Sequence, residues 1–131
     1  MINCIYIPET GPALHCQLDN ADKLQSIYNA LSCTYIDVVS VQSFGIDLEL
    51  IVDDCGLLTG RPRNMLASWI YGHTIVGPAL LCADHDTGDG RDICDMPLGY
   101  LETVKRMINK VGGYDDPPMQ SSIGGSNNGM V

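Results

Sequence analysis

Apolar and polar positions recur along this chain with two different periods, and the switches between them mark out the elements. Residues 2–7 (Ile-Asn-Cys-Ile-Tyr-Ile) are rich in side chains that suit a pleated, half-buried surface. Pro8-Glu9-Thr10-Gly11-Pro12 is dense turn chemistry, because proline fixes φ and glycine supplies positive φ. Residues 13–18 alternate again, so 2–18 predicts a hairpin. Asp19 or Asn20 can cap a helix, and beyond them Leu24, Ile27, Tyr28 and Leu31 share one helical face, predicting a helix over about 20–32. Residues 34–41 are strand-like by β-branched content, and Gln42-Ser43-Phe44-Gly45 turns the chain. Residues 46–52 alternate apolar and acidic positions before becoming wholly apolar, as a strand with one half-wet face does.

The second half follows the same logic. Asp53-Asp54-Cys55-Gly56 ends the strand, and the chain turns at glycines, passes Arg61 and Arg63, and enters a short helix. Met65, Leu66, Trp69 and Ile70 form its predicted face, Gly72 closes it, and Pro62 suits its first turn. Residues 73–83 are the most apolar segment and predict a central strand, with Gly77-Pro78 marking a bulge or an edge. Asp84 to Asp95 is read as an acidic, glycine-bearing loop. Asp95-Met96-Pro97 starts a last helix with Leu98, Leu101, Val104, Ile108 and Val111 on its apolar face. Lys105, Arg106 and Lys110 complement its C-terminal dipole, and Gly112-Gly113 stops it. The order β-β-α-β-β-α-β-α predicts one α+β domain over 1–113, with helices against one face of a mainly antiparallel sheet of about five strands. Residues 114–131 are Gly-, Ser- and Asn-rich and predict a flexible or partner-held tail.

Charge narrows the function classes. Sixteen acids against seven bases give a net charge of −9, which opposes affinity for a nucleic-acid backbone. Solubility is the ordinary role of such a charge, and mimicry of DNA before a DNA-binding enzyme is the sharper one. No apolar run approaches the ~20 residues of a membrane helix, and the N-terminus lacks the pattern of a secretory signal, so a cytoplasmic protein is expected. Six cysteines without a CxxC pair are read as free thiols.

No complete catalytic motif is present. The acids from Asp84 to Asp95 miss the EF-hand pattern, since the sixth position is Asp89 and the twelfth is Asp95. Cys82, His85 and Cys94 lack a fourth zinc ligand nearby, and His15, His73 and His85 are scattered away from any nucleophile. No catalytic residue, metal or cofactor is therefore assigned. Gly60-Arg61-Pro62-Arg63-Asn64 is the one candidate ligand site. Two guanidinium forks beside a glycine turn and a helix start suit a phosphate or carboxylate, with Gly60, Arg61, Arg63, Asn64 and local N–H groups as its holders. The competing reading has Arg61 and Arg63 pairing with Asp53, Asp54 or the 84–95 loop to tie down the turn.

The order of these phrases resembles a family of small proteins from bacteriophages, plasmids and other mobile elements, known only as a domain of unknown function. The resemblance rests on Asp53-Asp54-Cys55-Gly56-Leu57, on Gly60-Arg61-Pro62-Arg63-Asn64 and on Ile75-Val76-Gly77-Pro78-Ala79-Leu80-Leu81, and it runs from about 2 to 108. Ser32-Cys33 stand where the family often has glycine. The resemblance brings no catalytic residues. It implies an accessory gene acting against host defences, from which three expectations follow. The first is a non-enzymatic protein that captures a small anionic, nucleotide-like ligand. The second is a protein–protein inhibitor, or an acidic DNA mimic, directed at a host defence or DNA-processing enzyme. The third, a hydrolase of a nucleotide signal, lacks visible catalytic machinery in the sequence. A homo-oligomer is compatible with each, because sheet edges commonly pair.

Overall fold

The computed structural model describes residues 1–42, 44–45 and 47–114. The strands are β1 (Ile2–Ile7), β2 (Leu14–Leu18), β3 (Ile36–Val41), β4 (Leu48–Asp53), β5 (Ala79–Asp86) and β6 (Arg91–Cys94). The helices are α1 (Lys23–Leu31), entered through a 3-10 turn at Asn20–Asp22, α2 (Met65–Tyr71) and α3 (Leu98–Val111). The predicted α+β class is the observed one. All but Tyr114 of the proposed tail lies outside the described residues.

Every strand pairing is antiparallel, and the sheet order is β2-β1-β5-β4-β3 with β6 also on β5. β1 pairs with residues 79–81 of β5 and β6 with residues 83–86, so both lie along the edge of β5 opposite β4. The sixth strand corrects the reading of 84–95 as a loop. Its residues return as a hairpin, closed where Thr87 N–H bonds to the Gly90 carbonyl at 2.9 Å. The central strand begins at Ala79 rather than at 73. Before it the chain makes only an isolated bridge, Arg63 with Val76.

The period-two alternation of the strands builds two cores, one on each face. Ile5, Ile7, Leu48, Leu50, Val52, Ala79, Leu81 and Ala83 face α2 and α3. Ile2, Cys4, Ile51, Leu80 and Cys82 face α1 through Ile27 and Leu31. The helices therefore cover both faces, not one as expected. A strand apolar on both sides needs both faces covered, and β4 and β5 are of that kind. Coverage is uneven. α3 packs on β1 and β2 and α2 on β3, so that face is roofed across its width, whereas α1 rests on β2 and β5. On this second face α1 reaches Ile51 of β4, while Val38 on the edge strand β3 stays 45% exposed.

Local polar groups set where each helix sits. Asn64 caps α2, accepting from Ala67 N–H at 3.0 Å, and Ser68 binds the Ile75 N–H at 2.8 Å. These two buried polar residues turn α2 so that Leu66, Ala67 and Ile70 face the core. Met65 and Trp69, expected on the same face, are 64% and 49% exposed. On α3, Leu101, Val104 and Ile108 are buried but Leu98 and Val111 are exposed, and buried Asn109 grips the backbone of Ala13 at 2.7 and 3.2 Å. Asp95 does not cap this helix. It accepts from the backbone and side-chain N–H groups of Asn3 at 2.7 and 2.8 Å. Tyr114 closes the packed unit, its hydroxyl accepting from Gly11 N–H at 3.1 Å.

Candidate functional site

The loop from Asp53 to Arg61 is built from its own backbone. Gly56 N–H bonds to Asp53 O, Thr59 N–H to Cys55 O, Gly60 N–H to Leu57 O and Arg61 N–H to Gly56 O. Gly60 sits at φ +74°, where a side chain would be strained, and its amide is used within the turn. Asn64 N–H goes to Ile75 O at 2.8 Å. The backbone donors expected to cradle an anion are thus engaged internally at Gly60, Arg61 and Asn64.

Arg61 is a tether. Its Nε lies 3.0 Å from Asp53 Oδ2, its Nη1 donates to Leu31 O at 2.9 Å and its Nη2 to Ser32 O at 2.6 Å. The two carbonyls belong to the C-terminal end of α1, where a cation complements the dipole and satisfies orphan acceptors. Ser32 stands there at φ +51°, a left-handed conformation that glycine adopts with less strain. The Asp53 carboxylate is only 5% exposed and also accepts from Cys55 N–H at 2.9 Å. Gly77 makes room for this arrangement, because a Cβ there would lie 2.8 Å from Arg61 Cδ. The tie-down reading thus describes Arg61 and Asp53.

Asn64 departs from its predicted role as a ligand holder. It is fully buried, its Nδ2 donating to Ile7 O and Gly77 O at 3.0 and 2.9 Å while its Oδ1 caps α2. Both amide hydrogens are thus engaged in joining three segments. Arg63 remains exposed, joined to Val76 through its backbone. Gly60, Arg61, Arg63 and Asn64 are adjacent in sequence, but the fold sends them to four different surroundings.

An open cleft of about 590 Å³ lies against the Arg61–Asp53 pair, with Tyr28, Asn29, Thr34 and Thr59 on its walls beside the thiols of Cys33 and Cys55. Burial pushes the Cys33 thiol up, as does the Asp53 carboxylate, against the opposing pull of Arg61. All six cysteines are free, and Cys4 and Cys16 sit opposite each other across β1 and β2.

A second cleft, of about 330 Å³, lies between α1 and strands β3, β4 and β6. Its apolar floor and walls are Leu24 and Ile27 of α1, Ile36 and Val38 of β3, Ile51 of β4 and Ile93 of β6. Glu49 stands at its end beside Asp84, which Arg91 holds by two bonds of 2.8 and 3.0 Å. Burial and the neighbouring Asp84 carboxylate push the Glu49 carboxyl up to about 7, against the opposing charge of Arg91. Arg91 and the bond from Glu49 hold Asp84 below its usual range. The acid alternation at Asp47 and Glu49 was visible in the sequence, but Asp84 as the partner required the β4–β5 register.

The Glu49 shift predicts a pH dependence. A glutamate whose folded pKa lies above its ordinary 4.5 keeps a proton that the unfolded chain has released. Its contribution to stability therefore falls as pH rises from about 4.5 to about 7. Glu49→Gln removes that ionisation beside Asp84, Arg91 and Asp92. We expect little change in Tm at pH 5 and a gain of ~2–4 °C at pH 8, measured by calorimetry across this range. A gain independent of pH would contradict the assignment.

Three of the five acids of 84–95 are engaged in bonds to other elements of the fold. Asp84 pairs with Arg91, Asp92 with Lys23 at 2.6 Å, and Asp95 with Asn3. Among the described residues no three His, Cys, Asp or Glu side chains stand together as a metal site, and no helix is long and apolar enough to cross a membrane.

No curated protein matches this chain. The crystal structure of the small RNA methyltransferase HEN1 has a similar fold, with a TM-score of 0.55 at 21% identity. The likeness covers 76% of this chain and 15% of that one, so the chain spans a small part of that protein's length. At this identity it speaks for the fold alone. Residues 2–109 match the family described as Domain of unknown function (DUF3846), and the chain belongs to that family.

Proposed function

We propose that this protein is a non-enzymatic accessory protein of a phage or mobile element, acting in the host bacterial cytoplasm by binding a protein of a host defence or DNA-processing system. The observation that carries this reading is the apolar cleft between α1 and strands β3 and β4, next to the β3 edge of the sheet. Clefts and open edges of this kind are used in protein–protein recognition. The engagement of Asn64 and of three of the Arg61 guanidinium N–H groups within the fold supports it further, because it takes those donors from the predicted anion site. Internal pairing of Asp53 and Asp84 weighs against a DNA mimic, which needs its acids arrayed outward.

A photo-crosslinking residue in place of Tyr35, which is 64% exposed beside β3, tests this in host cells. We expect a covalent adduct with one protein species, absent when the same residue replaces Met107. If no protein adduct forms, the reading fails, and stabilisation by nucleotides in a thermal-shift screen would then favour ligand capture.

Capture of a small anionic, nucleotide-like ligand in the Arg61 cleft is the second reading. It is favoured by the size of that cleft and by the two guanidinium N–H groups beyond the three bonds described. The neighbouring Asp53 carboxylate opposes it.

A further inference from the structure

We infer that the β3 edge takes an extended segment of a partner protein as a seventh strand, an aliphatic side chain of which lies over Val38 and a lysine or arginine two positions away over Ser40, reaching toward Glu49 on β4. This rests on the protein-binding reading and names the partner's chemistry.

The backbone establishes the edge. Asp54 N–H bonds to Tyr35 O at 3.0 Å, so residue 35 points its polar groups toward β4. With period two, residues 37, 39 and 41 do the same, and Ile36, Val38 and Ser40 point theirs outward. Val38 N–H, lacking a strand partner, is held at 2.9 Å by the Asp37 carboxylate. Replacing that local bond with a strand carbonyl leaves the donor satisfied.

Side-chain registry sets the pattern of the incoming segment. On the α1 face β3 presents Ile36, Val38 and Ser40, where Val38 is opposite Ile51 and Ser40 opposite Glu49. A strand added beyond β3 places alternate side chains over this row. Those over Ile36 and Val38 meet the apolar cleft, which Val38, 45% exposed, leaves open to solvent. The side chain over Ser40 meets a small hydroxyl residue, and past it lies the Glu49–Asp84 pair. Strands are ~4.8 Å apart, so a side chain as long as lysine or arginine spans the one intervening strand. Around Glu49 the acids Asp47, Asp84 and Asp92 share only Arg91 and Lys23, so the charged end of the cleft has an excess of carboxyls.

The same charges select against a second copy. An antiparallel pair of β3 strands centred on Val38 would set each Asp37 opposite Val39 and diagonal to the other copy's Asp37, on chains that each carry −9. Diagonal neighbours across a strand pair are still within side-chain reach, so this arrangement adds local repulsion to that of the net charges. A basic, β-rich segment satisfies both the edge and the acids.

The test uses the full chain and two synthetic peptides, Thr-Thr-Val-Thr-Val-Thr-Lys-Thr-Thr and the reverse order, because strand direction is open. Controls replace the lysine by glutamate or methylate alternate backbone nitrogens. In a ¹⁵N-resolved titration, one order is expected to shift the amides of Ile36, Val38 and Ser40 and of Leu24 across the cleft. It should bind at least ~10-fold more tightly than its glutamate form, a difference of about 1.4 kcal/mol. N-methylation should abolish binding, and Glu49→Gln should reduce the preference for lysine by ~5-fold. The inference is overturned if neither order shifts β3 at ~1 mM, if lysine and glutamate peptides bind alike, or if sedimentation shows a dimer that Val38→Lys dissociates. A protein adduct at position 35 together with failed peptides would sink the inference and leave the protein-binding reading standing. The lack of any adduct would remove that reading itself.

Discussion

Asn64→Ala is expected to destabilise the protein by ~3 kcal/mol, a large share of the 5–15 kcal/mol typical of a domain. The amide caps α2 and satisfies the carbonyls of Ile7 and Gly77, all without access to water. Loss of the cap alone costs ~1 kcal/mol, and each buried group left without a partner adds ~1 kcal/mol. Asn64→Asp should not rescue, because it keeps the cap but sets a carboxylate against two carbonyl oxygens. Urea unfolding checks both variants, with a lower midpoint and an unchanged slope as the expected signature. A change below ~0.5 kcal/mol would mean that the residue is peripheral, as a ligand holder would be.

Arg61→Ala is expected to cost about 3 kcal/mol, because it leaves the nearly buried Asp53 carboxylate unpaired and removes the donors to Leu31 and Ser32. Arg61→Lys should recover little, since an ammonium on a flexible stem does not reproduce a planar fork meeting three acceptors. Asp53→Asn combined with Arg61→Ala should cost less than the sum of the two singles, because the stranded charge is gone. Hydrogen exchange supplies a second readout. Cys33 N–H, bonded to Tyr28 O at the end of α1, should exchange faster in Arg61→Ala. If stability and exchange are unchanged while an anion no longer binds, Arg61 is a ligand clamp and the tether reading is wrong.

Arg61 and Asn64 also mark how far residue types carry an argument. An arginine next to a glycine turn and a helix start has the chemistry of an anion site. Whether its donors are available depends on what lies within 3 Å, and the acceptors at Leu31 and Ser32 are about thirty residues away in the chain. The same distance problem hid β6 and the Glu49–Asp84 pair. A four-residue strand of Arg-Asp-Ile-Cys has too few apolar positions to reveal its period, and it is ordered by lying in line with β1 along β5. On α2 the apolar pattern was legible but its rotation was not, because two buried polar residues turn the helix and expose Trp69.

By itself the sequence determined the α+β class, the order of the long elements and the acidic, motif-poor character of the chain. Those follow from periodicity and turn chemistry, which act over a few residues and leave their mark locally. The tertiary structure decided which face each helix covers, which arginine is engaged and where an apolar surface stays open. Each of those depends on register between strands far apart in the chain. Shifting a strand by one residue exchanges every inward and outward side chain, and only packing across the whole sheet selects one register.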